Sequence, residues 1–202
     1  NAIIESNKVY GSNKTNKTYN IEFVSANPTG PMHVGHCRGA IYGDVLSNLL
    51  KFNGNKVTKE YYINDYGNQI KNFVESVFFR IQEIKYKNKF PDNDNLYPGL
   101  YIKDIAEKII KEDQNIDFKD FDKNFEFLKE KSLDASMNLI KNDLKQLGIT
   151  HDIFFSETDI VKKDLVKKAV QKLKEKKYVE EGYLQPPKGE INNNWKKTKR
   201  LI

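Results

Sequence analysis

The chain is poor in three residue types: 202 residues hold one cysteine, three histidines and one tryptophan. A single cysteine, Cys37, can neither close an internal disulfide nor build a cysteine-based zinc site, which agrees with a reducing compartment. No stretch approaches the run of ~20 apolar residues that a bilayer span needs. The N-terminus shows no basic-then-apolar secretion pattern. The expectation is a cytoplasmic protein with no membrane among its partners. No internal repeat is present.

Charge is plentiful. With 34 Lys+Arg against 28 Asp+Glu the formal net charge is +6, which favours a polyanionic partner such as RNA or a nucleotide. A Lys/Asn/Ile bias, visible in KYKNKFPDNDN and EINNNWKKTKR, accounts for part of it as a solvated face. Hydrophobic residues at 38% and aromatics at 12% exclude a disordered chain. The length suffices for one sizeable core, or one domain with a large insertion.

The order of elements points to an α/β fold. NIEFVS alternates Ile21, Phe23 and Ser25 against Glu22 and Val24, a strand that ends in the turn chemistry of ANPTGP. From about Val34 a helix is marked by Ile41, Val45, Leu49 and Phe52, and it stops where Gly54 can supply a left-handed cap. KVTKEYYI, Lys56 to Ile63, reads as a second strand. Strand, loop, helix and strand make a βαβ unit with a parallel sheet, whose ligands sit at the carboxyl ends of the strands.

Beyond residue 68 the pattern turns helical, around Ile70–Ile84, Ile102–Ile110 and Phe125–Leu147, the last capped by Gly148. ITHDIFFS then alternates Ile149, His151, Ile153 and Phe155 as a strand. Val161, Leu165, Ala169 and Leu173 mark one basic helix, and YVEEGYL reads as a hairpin with Gly182 in its turn. The expected organisation is a tail of an N-terminal domain or linker at 1–18, the first half of a Rossmann-like nucleotide-binding domain at 19–72, a mostly helical insertion at 73–148, and a further strand, helix and hairpin at 149–202, where the domain is cut short.

The scarce histidines concentrate. His33 and His36 stand three residues apart, directly after a Pro/Gly-rich turn. A metal site is one reading, but zinc wants three or four ligands and His151 has no companion. Two structural histidines at a helix start is another. The third uses local chemistry: a helix N-terminus exposes N–H groups and partial positive charge, so phosphates settle there. Imidazoles one turn apart could donate to phosphate oxygens as charge builds during transfer. Gly35 leaves room for a flat base on the backbone, and Gly30 and Pro31 fix the approach.

HVGH after a first strand resembles the His-x-Gly-His signature of class I aminoacyl-tRNA synthetases and their nucleotidyltransferase relatives. The longer SANPTGPMHVGHCRGAIYGD, followed by YYINDYGNQ, resembles the arginyl-tRNA synthetase family. The resemblance covers residues 18–72 closely, and YPGLYIKDIAEKI, DIFFSE and the region near Gly182 more loosely. It implies ATP, with Mg²⁺ on its phosphates, L-arginine and tRNA(Arg) as partners, no protein-bound zinc, and a monomer when full length. It further implies that activation waits for tRNA, and that this chain alone would be inactive because later parts of the domain are missing.

By the same resemblance, His33 and His36 are the catalytic pair on the α-phosphate; Pro31 and Gly35 join them in binding ATP, with Gly35 under the adenine. Ser25 and Asn27 would hold the α-amino and carboxylate groups of arginine, and Glu22 its guanidinium. The residues give Glu22 separate support, since a carboxylate on a central, doubly covered strand is costly without a partner; a solvent-facing strand end is the alternative. Asp65 and Gln69 would help position arginine, or Asp65 would cap the helix near Gly67. Cys37 and Arg38 read as packing or phosphate contacts, His151 as a satisfied core histidine, and Trp195 as a hairpin anchor or an exposed remnant of a missing core. Lys197–Arg200 mimics the second ATP-binding signature of the class, but follows a hairpin, the wrong context. Two alternatives stay open: another His-x-Gly-His enzyme, such as a cysteinyl or glutamyl synthetase or small nucleotidyltransferase, and a non-catalytic RNA-binding derivative.

Overall fold

A computed structural model describes residues 1–13, 15–183 and 200–201. The chain forms two compact units, residues 1–158 and 159–202. In the first, a short helix α1 (Ala2–Ser6) precedes strand β1 (Thr18–Glu22), helix α2 (Val34–Phe52) and strand β2 (Lys56–Ile63). The helices α3 (Asn68–Tyr86), α4 (Leu100–Glu112) and α5 (Phe121–Gln146) follow, then strand β3 (Ile153–Ser156). The three strands form one parallel sheet in the order β1-β2-β3, with Glu22 beside Glu60 and Tyr62 beside Phe155.

Local chemistry sets these boundaries. Gly54 takes φ +76° just past α2, its N–H bonds Lys51 O at 2.9 Å and Asn55 N–H bonds Leu50 O at 3.2 Å, the paired bonds of a Schellman stop. Gly148, at φ +73°, ends α5 the same way, and Ile149 N–H returns to Leu144 O at 2.9 Å. That return carries Ile149 into the core, so the third strand starts only at Ile153.

Two cores share one helix. Ile70, Phe73, Ile81, Ile102, Ile109, Phe118 and Leu128 form a core among α3, α4 and the first half of α5. Phe23, Ala40, Tyr61, Met137, Ile140 and Leu144 form a second beneath the sheet. A helix of 26 residues runs about 39 Å, long enough to serve both. The helical layer and the sheet are therefore tied by an unbroken rod.

The apolar stripe that marks α2 is not its buried face. Ile41, Val45, Leu49 and Phe52 are exposed, whereas Ala40, Gly43 and Ser47 are buried. Small residues let the helix lie close on the sheet, and a Cβ at Gly43 would overlap the Phe23 ring. Lys59, 6% exposed, reaches up from β2 to Asp44 at 2.5 Å and to Asn48 at 3.3 Å, so this buried cation is matched across the helix–sheet contact. β1, expected at the centre of a covered sheet, has no partner on its outer edge among the described residues.

The second unit also departs from expectation. The single basic helix is broken: α6 (Glu157–Lys162) enters the unit and α7 (Leu165–Glu175) follows, separated by Asp164 at φ +54°. Gly182 does not sit in a hairpin turn; strand β4 (Glu181–Gly182) pairs antiparallel with β5 (Arg200–Leu201), Gly182 opposite Arg200. Trp195 and residues 197–199 of the Lys/Thr run lie outside the described residues.

Candidate active site

The chain leaves β1 through a strained turn. Val24 and Ser25 take φ +69° and +40°, a region that costs a non-glycine residue about 1–3 kcal/mol and is worst for a β-branched side chain. The surroundings hold it there: Ser25 Oγ accepts from Tyr62 N–H at 3.0 Å, and the buried Tyr61 hydroxyl donates to Ala26 O at 2.8 Å. Burial pushes the Tyr61 phenol far above its usual range, so it stays a donor. The loop 26–32 is thereby laid over the carboxyl ends of β1 and β2.

His33 follows as the N-cap of α2, and its ring does the capping. Its Nδ1 accepts from Gly35 N–H at 3.1 Å, while His36 Nδ1 accepts from His33 N–H at 3.3 Å, a reciprocal capping box built from two histidines. In a neutral imidazole, an accepting Nδ1 places the proton on Nε2. With both Nδ1 atoms accepting, the N–H donor of each neutral ring is on Nε2. The rings stack, centroids 3.7 Å apart and 21° from parallel. Burial, then the neighbouring His33, lowers the His36 pKa below 6.5. Gly35 has a further reason to be glycine: a Cβ there would come within 2.9 Å of His33 Cε1.

The histidines open on a cavity of about 400 Å³ that Asn27, Pro31, Met32 and Tyr101 also line. Asn27 is fixed from two sides, its amide donating to Gln69 at 2.8 Å and its oxygen accepting from Asn64 at 3.1 Å. Glu22 accepts from the Ser25 hydroxyl. It is exposed at the end of β1, so the desolvation argument for a partnered carboxylate does not apply in this chain. Asp65 does not cap α3, whose N-cap is Gly67. Its carboxylate accepts from Ser156 Oγ at 2.6 Å and Thr158 N–H at 2.8 Å, which pins the turn after β2 to the end of β3.

Sequence reasoning missed three residues here. Asn64 had no marker beyond its place in YYINDYGNQ. Tyr101 and Asp143, distant in sequence, reach the loop from the helical layer, at Thr29 O (2.9 Å) and Met32 N–H (3.1 Å). Of the residues weighed as bystanders, Cys37 is half-buried and Arg38 exposed. The His151 ring lies 4.3 Å from the Phe23 ring and edge-on to Tyr61, but it is half-buried and both ring nitrogens are enclosed without a hydrogen-bond partner among the described residues, so it is not the satisfied core histidine expected; burial lowers its pKa. A second cavity of about 280 Å³ beside the start of β3 is walled by Leu144, Ile149, Phe154 and two lysine stems, with His151 in its lining. Among the described residues no set of three His, Cys, Asp or Glu could hold a metal ion, and no helix is long and apolar enough to cross a membrane.

A parallel sheet whose first strand feeds a His-x-Gly-His helix start is the pattern of class I aminoacyl-tRNA synthetases and their nucleotidyltransferase relatives. Comparison with known proteins names the branch. The family model for "tRNA synthetases class I (R), catalytic domain" matches residues 1–183, and the chain belongs to that arginyl family. It is 54% identical over its whole length to 35% of an arginine–tRNA ligase of Pelagibacter ubique, and 48% identical over 92% of its length to 32% of one from Ehrlichia ruminantium. A crystal structure from Campylobacter jejuni described as an arginyl-tRNA synthetase superposes with a TM-score of 0.79 at 32% identity, covering 90% of this chain and 41% of that one. An arginyl-tRNA synthetase from Plasmodium falciparum shares the fold at 20% identity, TM-score 0.55. The chain spans about a third of the length of the curated relatives it matches.

Proposed function

We propose that this chain supplies the first part of an enzyme that activates L-arginine with ATP and passes it to tRNA(Arg). The observation that carries this reading is the stacked pair His33/His36, whose Nε2–H donors are fixed by the capping box beside the positive end of α2. In the reaction, a carboxylate oxygen of arginine bonds to the α-phosphorus of ATP. The bond from that phosphorus to the bridging oxygen breaks, and its electron pair leaves with pyrophosphate. Negative charge grows on the non-bridging oxygens between these events, where two fixed N–H donors and a helix dipole are worth most. No protein nucleophile is needed.

Pro31 and Gly35 would shape the nucleotide's seat with the histidines, Gly35 beneath the base. Ser25 and Asn27 would meet the amino and carboxylate groups of arginine with Gln69, and Glu22 would meet the guanidinium, whose planar fork suits a carboxylate. Asp65 would act by holding the rim, since Ser156 and Thr158 occupy its carboxylate. Mg²⁺ would arrive on the substrate's phosphates and no step is assigned to it. A monomeric, cytoplasmic enzyme completes the proposal; the lone cysteine suits a reducing compartment. Amino-acid-dependent exchange of pyrophosphate into ATP by the intact enzyme tests it. Arginine alone, with tRNA present, should support exchange; support by glutamate or cysteine instead would assign the site to another branch of the class.

A further inference from the structure

The loop between Ala26 and His33 sets the position of both imidazoles, yet little within the loop holds it. The helical layer does. Tyr101, the second residue of α4, lays its ring over two glycines: a Cβ at Gly30 would fall 2.9 Å from Tyr101 Cζ and 3.0 Å from its hydroxyl, and a Cβ at Gly99 would overlap the ring's other edge. Its hydroxyl donates to Thr29 O at 2.9 Å. The same ring forms part of the wall of the cavity that holds His33 and His36. One turn further along the loop, Asp143 of α5 accepts from Met32 N–H at 3.1 Å. The ring thus meets the loop at Gly30, where it has no side chain, three residues before the helix cap.

We propose that Tyr101 is a positioning residue for adenylate formation: by clamping Thr29 and Gly30 it sets the helix cap, and through it the direction of the two Nε2–H donors. This rests on the reading of the site as the place where ATP is attacked. Burial, then the neighbouring Tyr97, raises the phenol's pKa, so it remains a donor at neutral pH. Sites of this kind lose rate steeply when a reacting group shifts by an ångström or less. Such a residue should therefore act on turnover more than on nucleotide affinity.

The test uses the intact enzyme in arginine-dependent ATP–pyrophosphate exchange, with Tyr101→Phe, Gly30→Ala, the double variant and His36→Ala. Tyr101→Phe keeps the ring and loses only the bond to Thr29. It should lower kcat about tenfold, leave KM for ATP within about twofold and leave Tm nearly unchanged. Gly30→Ala, which presses on the same ring from the loop side, should lower kcat as well, and the double variant should be no worse than the poorer single one. Unchanged kcat in a folded Tyr101→Phe enzyme, a loss confined to KM, or losses that multiply would overturn the proposal. If Tyr101→Phe does not fold, the kcat and KM of Gly30→Ala decide by the same criteria. A collapse of kcat in His36→Ala alone defeats only the role of Tyr101; an unchanged His36→Ala enzyme defeats the activation reading and this proposal with it.

Discussion

At the scale of single residues, the site depends on which nitrogen carries the proton. His33 and His36 accept backbone N–H groups at Nδ1, at 3.1 and 3.3 Å, and an imidazole that gains a second proton can no longer accept there. The His36 pKa is lowered from 6.5, first by burial and then by His33; that of His151 is lowered chiefly by burial. Groups with lowered folded-state pKa bind fewer protons folded than unfolded, so their contribution to stability is complete above 6.5 and is lost as pH falls through the folded values. The His33 amide should accordingly lose hydrogen-exchange protection as the protein is acidified below 6.5, before the core of α3 does. Protection of that amide unchanged down to pH 5 would show that the capping box does not act as described.

At the scale of elements, α2 makes opposite demands on its two faces. Gly43 lies against Phe23, so Gly43→Ala should cost this chain about 1–3 kcal/mol. Val45, two residues on, is 59% exposed, so Val45→Lys should stay within about 0.5 kcal/mol. Urea denaturation of the two variants decides it, and the reverse order would mean that the helix is turned the other way. The limits of α2 and β2 were legible in the sequence because they are set by local chemistry: a Pro/Gly turn before the helix and Gly54 after it. Which face of α2 is buried was not, because periodicity identifies a stripe without saying what lies against it. The break at Asp164 rests on a single aspartate, a residue that tolerates the left-handed region but is also common on helix surfaces, so KKDLV alone does not mark it. The pairing of Gly182 with Arg200 depends on a partner far along the chain. At the site, HVGH was legible for the same local reason as the caps, whereas Tyr101 and Asp143 reach the loop only through the packing of α4 and α5.

At the scale of the molecule, α5 belongs to both cores, and the helical layer thereby becomes part of the scaffold of the site. Its rigid packing, with Phe73, Ile102 and Phe118 fully buried, gives the loop a fixed reference at Thr29 and Met32. The strained turn at Val24 and Ser25 is sustained by the same arrangement, since Tyr61 and Tyr62 anchor it from β2. The chain covers about a third of its relatives' length, so catalysis is to be measured on the intact enzyme. The most direct test of the paired imidazoles is single-turnover formation of arginyl-adenylate by His36→Ala in the presence of tRNA. The rate should fall about a hundredfold or more while the Kd for ATP stays within about threefold, because the donor acts on charge that exists only in the transition state. A rate near that of the unaltered enzyme, or a loss lying wholly in ATP affinity, would contradict the account.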